Sequence, residues 1–326
     1  MRYSDAKKKA AEELKAAGIE EAGTDAEYLL LEATGLERSS LFVKLFEEMP
    51  ETEAGVFEKL VKRRCMHEPL QYIVGSQEFM GFDFMVTPDV LIPRFDTEIL
   101  AELAIKRCVS AIRPLIAETE GDRRNNSFRI LDLCTGSGCV AVSVGLGSCR
   151  ELIRDKALSR GIDDFSITVT GSDISPAAVS LAEKNFEINR NSLYDGEEEK
   201  IPKCNISFLE SDLFKKINGT YHMITANPPY IVRDEIKELM PEITEHEPHI
   251  ALDGGDDGMD FYRRICEAAP EYLVPGGRLL MEFDDSQAEP VREMMLQAGF
   301  KDIEIHRDLA GLRRVIEGVY PADLEK

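Results

Sequence analysis

No stretch of this 326-residue chain approaches the roughly 20 consecutive apolar residues that a membrane-spanning helix needs. The first residues, MRYSDAKKKAAEELKAAG, lack the apolar core of a signal peptide, so the expected setting is the cytoplasm with no membrane partner. There is no C-x-x-C pair among the seven cysteines, which lie scattered in apolar contexts. That favours free thiols in a reducing compartment over disulfides or zinc. Histidine is scarce as well. Of five, two fall in HEPH (His246 and His249), where a proline interrupts a three-residue spacing and no further ligand cluster follows, so no metal is expected. Positive charge is in deficit: 39 Lys and Arg face 61 Asp and Glu, for a net charge of −22. Such a surface repels phosphate backbones and argues against direct binding of duplex nucleic acid. Internal repeats and long low-complexity tracts are missing too.

What is present is an ordinary 43% of hydrophobic residues and a change of pattern along the chain. Residues 6–17 carry Ala and Leu at helical spacing. TDAEYLLLEATG opens with Thr24 and Glu27, a capping-box pattern, and closes at Gly35. ETEAGVFEKLVKRRCMHEP reads as another helix, ended by Pro69. Residues 1–73 are thus expected to form a helical bundle domain. SQEFMGFDFMV alternates aromatic and polar residues about Gly81, a β-hairpin in a linker over 74–95. Asp96 or Thr97 is placed to cap a helix running to about Arg113. From Arg129 strands and helices alternate, the signature of a parallel α/β sheet, and KDIEIHRD with RRVIEGVY suggests a terminal antiparallel pair. The third domain spans 96–326, with polar loops or insertions expected at 121–127, 150–165 and 191–203.

Two stretches carry chemistry. In DLCTGSGCVA, Gly136 and Gly138 sit between a strand and a helix, where glycine admits a ligand to the backbone and the helix offers unpaired N–H groups. Gly136, Gly138 and Ala141 match the dinucleotide pattern G-x-G-x-x-[GA], which alone is a weak signal. The next strand-end acid, Asp173 in GSDIS, lies beyond the roughly 20-residue spacing of an NAD ribose contact. A glycine turn plus a strand-end carboxylate suits an adenosine cofactor held without a pyrophosphate, such as S-adenosyl-L-methionine (SAM). The second stretch is ITANPPYIV, where an apolar strand stops at Asn227, Pro228, Pro229 and Tyr230. Two prolines end any regular element. Ligands of doubly wound sheets bind outside the carboxyl ends of the strands. There the Asn227 side-chain carbonyl and the rigid Pro228 carbonyl make two fixed acceptors for a planar –NH₂ group, and Tyr230 can stack on its plane.

These motifs resemble the Rossmann-like SAM-dependent methyltransferases that modify amide or exocyclic amino nitrogens. More narrowly, the chain resembles the PrmC/HemK family, the glutamine N5-methyltransferases of peptide-chain release factors. The likeness spans nearly the whole chain, through PLQYIVGSQEFMGFDFMV, LIPRFDTEIL, ILDLCTGSGCVAV, GSDISPAAVSLAEKNFEIN, SDLF, ANPPYI, EHEPHIALDGGDDGMDFYRRI, PGGRLLMEF and DLAGLRRVI. It implies a mostly parallel Rossmann-like sheet with an antiparallel C-terminal strand, an N-terminal helical bundle that docks the substrate, and a hairpin linker. Residue by residue it implies cofactor contacts from Cys134, Thr135, Gly136, Ser137 and Gly138, ribose binding by Asp173, adenine flanked by Asp212 and Leu213, and a cofactor contact from Asn227. Asn227, Pro228, Pro229 and Tyr230 would hold the glutamine amide; Arg94, Thr97 and Glu98 are candidates for the same pocket; Glu247 and Asp253 could order the neighbouring loop. The implied reaction moves a methyl group from SAM to the glutamine of the Gly-Gly-Gln loop of class I release factors, leaving S-adenosyl-L-homocysteine. Three departures stand out: Cys134 and Phe95 where the family usually has glycine and proline, and EFDDSQ where E-[IV]-G-x-x-Q is usual. The runner-up, an adenine-N6 methyltransferase, would use the same Asn-Pro-Pro-Tyr chemistry on a flipped base, and should carry a basic groove. A dehydrogenase would leave that stub unexplained, and a non-catalytic SAM-binding regulator would lack it.

Overall fold

The structure is a computed structural model and describes residues 1–117, 127–155, 165–193 and 202–322. Helices come first: α1 (Tyr3–Ala16), α2 (Ala22–Thr34), α3 (Arg38–Lys44), α4 (Glu51–Cys65) and α5 (Leu70–Val74). A hairpin follows, β1 (Ser76–Phe79) and β2 (Phe82–Met85), then α6 (Glu98–Ala117). The alternating region runs β3 (Ser127–Leu133), α7 (Cys139–Arg154), β4 (Ser166–Asp173), α8 (Pro176–Asn189), β5 (Lys203–Glu210) and β6 (Tyr221–Ala226). It continues with α9 (Pro241–His246), α10 (Asp260–Tyr272), β7 (Leu273–Glu282), α11 (Ala288–Gln297), β8 (Lys301–Arg307) and β9 (Arg313–Val319). Most of the expected polar loops fall outside the described residues. Where described, Ser127 already opens β3 and residues 150–154 continue α7, because Leu152 is fully buried and draws the last turn onto the core.

Two compact units emerge. The first comprises residues 1–76, 86–88 and 237–247. Tyr3, Ala6, Ala10 and Leu14 recur every three or four residues and form the buried stripe of α1. The capping box expected from Thr24 and Glu27 does not form. The helix starts earlier, at Ala22, and Glu27 pairs instead with Lys7 and with Arg38. Ala22 and Ala26 are buried, so an added helical turn brings core contact that a cap at Thr24, of about 1 kcal/mol, does not match. Gly35, at φ +64°, ends α2 as expected. Asp25 and Arg64 make a buried ion pair at 2.7 Å, and Arg64 also reaches Glu242 at 3.2 Å.

The second unit, residues 77–85, 89–236 and 248–326, holds a seven-stranded sheet in the order β5-β4-β3-β6-β7-β9-β8. Pairing is parallel from β5 to β7 and antiparallel for β7–β9 and β9–β8, the expected α/β class. In β3 and β6, Ile130, Leu131, Met223 and Ile224 are fully buried on alternating faces, as helix-covered parallel strands require. Ile130 packs in one core with Leu100 and Val142, and Leu131 in the other with Tyr262 and Met281. From β3 the chain winds outward through β4 to β5, then returns to lay β6 on the other side of β3. That reversal is the topological switch point, the place where such sheets open a crevice.

Candidate active site

The crevice is a cavity of about 1170 Å³, part of it open to solvent, at the carboxyl ends of β3, β4, β5 and β6. Each strand end contributes a polar group. After β3, the turn of Cys134 to Gly138 borders the cavity through Cys134, Thr135, Gly136 and Ser137. Asp132 underlies it: its buried carboxylate accepts Thr135 Oγ1 at 2.6 Å and Thr225 Oγ1 at 2.7 Å, tying β3 to β6, and burial pushes its pKa up to about 6. The Thr135 amide donates to Ser172 O at 3.0 Å, which fixes the turn to β4. Gly138 takes φ +80° and has no room for a Cβ, which would meet Ala182 at 2.9 Å, so glycine here serves the packing of α7 on α8. Gly136 differs. At φ +53° a Cβ would meet nothing within 4 Å, so the missing side chain leaves space on the cavity wall.

Asp173 ends β4 and faces the cavity. Its two oxygens accept the Gly136 and Ser175 amides, each at 2.9 Å, while burial raises its pKa. A carboxylate has about four lone-pair sites, so room remains for a ligand. Ser175 caps α8 with Pro176 at the first helical position. After β5, Asp212 and Leu213 also line the cavity. Asp212 is held by Arg264 and by Lys215, which lower its pKa, and Leu213 adopts φ +49°.

At the end of β6, Asn227 and Pro229 line the cavity. Pro228 is buried, and Tyr230 packs beside the core cluster of Leu131 and Met281, where burial raises its pKa; neither is in the cavity wall. The Asn227 Nδ2 donates to Thr97 Oγ1 at 3.1 Å. Where an Asp96 or Thr97 cap on α6 was expected, residues 95–97 form a 3₁₀ turn that runs straight into the helix, and the Thr97 hydroxyl accepts Asn227 instead. Arg94 and Thr97 line the cavity, whereas Glu98 turns away and accepts the Met80 amide of the hairpin at 2.6 Å.

The glycine-rich stretch DGGDDG clasps the stub from behind. Ile231 bridges Asp253, the Arg233 amide donates to Gly255 O at 3.0 Å, and Gln287 Nε2 donates to Tyr230 O at 2.8 Å. Asp253 pairs with Arg233 at 2.9 Å, whereas Glu247 is buried in the first, helical unit. Two buried residues were not anticipated. Asn185 on α8 donates to Ser137 O at 2.9 Å and to Met85 O at 3.0 Å, joining the glycine turn to the hairpin. Glu282, the last residue of β7, is 3% exposed and stands beside Thr97 and Asn227; burial pushes its pKa up to about 7, against the lowering effect of those two polar groups. An asparagine inside AEKNFEIN gives no periodicity signal. Glu282 was visible only as the first residue of EFDDSQ, where the resemblance flagged a departure in its neighbours and not in itself.

A glycine turn and strand-end acids fit many adenosine ligands. A rigid asparagine–proline stub in the same wall adds acceptors for an amino group, and with the strand order it makes this a Rossmann-like, SAM-dependent methyltransferase. The PrmC N-terminal domain model matches residues 5–75. A release factor glutamine methyltransferase of Geobacter sulfurreducens is 38% identical over 92% of this chain and 90% of its own. Another, from Cereibacter sphaeroides, is 34% identical over 99% of this chain and 100% of its own. A solved structure of a release factor-specific protein-(glutamine-N5) methyltransferase from Alicyclobacillus acidocaldarius is 26% identical over 73% of this chain and 99% of its own, at a TM-score of 0.36 that adds nothing to the assignment. The chain belongs to the release factor glutamine methyltransferase family.

Proposed function

We propose that this protein methylates the side-chain amide nitrogen of the glutamine in the Gly-Gly-Gln loop of class I release factors, in the cytoplasm, with the first unit docking the factor. The observation that carries the reading is that Asn227 and Pro229 share one cavity with Gly136 and Asp173. SAM fits the groups present: space left by the missing side chain at Gly136, free lone pairs on Asp173, and the Asp212–Leu213 edge for an adenine. When bound, SAM supplies a methyl group made electrophilic by its sulfonium.

An amide nitrogen is a poor nucleophile because its lone pair is delocalised into the carbonyl. The Asn227 Oδ1, in the cavity wall, accepts one N–H bond of the substrate and holds its nitrogen on line, and alignment removes much of the entropic barrier; the carbonyl of Pro228, buried beside that wall, is the second acceptor this reading requires. The same acceptors stabilise positive charge as it builds on nitrogen. The reaction breaks the sulfonium–methyl bond, forms the nitrogen–methyl bond and releases one N–H proton after transfer. The test is incubation with isotope-labelled SAM and purified release factors, followed by mass mapping. Label on the Gly-Gly-Gln glutamine is expected; label on another residue, or none, overturns the reading.

A further inference from the structure

We propose that Glu282, acting through Thr97, fixes which end of the Asn227 amide faces the cavity, and is thus a positioning residue for methyl transfer. The inference rests on the reading of Asn227 as an acceptor for the substrate. The register brings the groups together: Ala226 of β6 pairs with Met281 of β7, so Asn227 and Glu282 leave the sheet side by side. Glu282 lies outside the cavity wall, and Thr97 is 2% exposed between it and the site.

An asparagine amide has two ends of nearly equal size and opposite polarity. With its oxygen toward the cavity, Asn227 can accept the substrate N–H. Flipped, it would present a donor to a donor. The choice depends on Thr97, whose hydroxyl can donate or accept. Nδ2 of Asn227 donates to Thr97 Oγ1 at 3.1 Å, so the Thr97 proton must point elsewhere. Glu282, buried beside Asn227 by register and near enough to Thr97 to feel its hydroxyl, is the acceptor we assign to it. Above about pH 7, where Glu282 is ionised, its carboxylate only accepts, so it sets the direction of the whole relay: Asn227 N–H to Thr97, and Thr97 O–H to Glu282. With its Nδ2 held behind by Thr97, Asn227 has its oxygen left for the cavity. Among the described residues the second Glu282 oxygen, Oε2, has no partner. A glutamine can therefore replace this residue, keeping one acceptor and placing its –NH₂ where no bond is lost. Burying a carboxylate is costly, and its retention beside Asn227 fits a role in polarity more than in packing.

The experiment compares E282M, which keeps volume without an acceptor, with E282Q, T97V and N227A in the full-length enzyme. Turnover is measured on SAM and intact release factor, SAM affinity by calorimetry, and the Asn227 side-chain amide by ¹H–¹⁵N spectra. E282M and T97V should each lose about 100-fold in kcat, the scale of a misaligned reacting group, with SAM affinity unchanged. E282Q should recover most of that loss. E282M added to N227A should cost nothing further, since the relay acts only through Asn227. The Asn227 amide protons should be protected from exchange in the wild type and E282Q, and lose protection in E282M. A folded E282M with wild-type kcat, or losses that add to N227A, overturns the inference. If E282M does not fold, wild-type turnover or unchanged amide protection in T97V overturns it equally. Wild-type enzyme inactive on release factors defeats the functional reading, and the spectra still judge the relay.

Discussion

Cys134 occupies a left-handed backbone, φ +56°, at the mouth of the glycine turn. An L side chain there costs about 1–2 kcal/mol, which glycine would remove. Glycine would in turn add about 0.4–1 kcal/mol of unfolded-state entropy and give up the thiol's contact with the core. Cys134→Gly should thus leave chemical-denaturation stability within about 1 kcal/mol of wild type; a loss above twice that would mean that thiol packing dominates the turn. At Asn227 the geometry makes a sharper demand. Asn227→Ala removes an acceptor, and kcat should fall about 10²–10³-fold. Asn227→Asp keeps an oxygen but destroys the donor that binds Thr97 and sets a second carboxyl beside Glu282, so it should be no better than Ala. Near-wild-type single-turnover rates in a stably folded Ala variant would remove the stub from the mechanism. Glu282 also leaves a mark on stability. Burial raises its pKa from 4.5 to about 7, so the folded state prefers the proton; the stabilisation is complete below pH 4.5 and is lost as pH rises through about 7. Relative to E282Q, the wild type should lose up to about 3 kcal/mol of unfolding free energy across that window. Parallel curves for the two would place an unperturbed carboxyl at 282.

Among elements, the loop from Gly254 to Gly258 matters because it leaves no room. A Cβ on Gly254 would meet the Tyr230 backbone at 2.7 Å, and one on Gly258 would meet Tyr230 O at 2.5 Å and Gln287 Nε2 at 2.6 Å, at φ +74°. Gly258→Ala should cost more than the about 1–2 kcal/mol of left-handed strain alone, and should lower kcat by shifting the stub. A fully active, equally stable variant, checked by thermal melts and turnover, would show that the clasp does not hold Asn227. Strand ends, the glycine turn, Asp173 and the stub were legible in the sequence because each is a local pattern. Thr97 was legible as a polar residue at a helix start, but its hydroxyl went to a partner 130 positions away, which no local cap rule can see. Asn185 and Glu282 act through register and long-range pairing, which alternation does not encode. The Thr24 and Glu27 box failed for the same reason: burial of Ala22 decided where α2 begins.

At the scale of the molecule, every residue lining the cavity belongs to the second unit, so the chemistry can be complete there. The first unit, with its own core around Leu14, Leu29 and Phe57, has no part in the cavity wall. Its proposed use is to bind the release factor away from the reacting glutamine. Binding energy from remote parts of a substrate can be spent on orientation at the reacting centre, so a truncated substrate loses kcat as well as affinity. A short peptide containing Gly-Gly-Gln should therefore be methylated with kcat/KM lower than that of intact factor by about 10²-fold or more, with a deficit in kcat itself. The control is SAM affinity, which should be the same in both assays because Asp173 and the glycine turn are untouched. Competition sharpens the point: intact factor whose Gly-Gly-Gln glutamine is replaced by alanine should still inhibit methylation of wild-type factor but not of the peptide at the same concentration, if docking and chemistry occupy separate surfaces. Equal kcat/KM for peptide and intact factor would deny the first unit its docking role and leave the second unit as the whole of the enzyme.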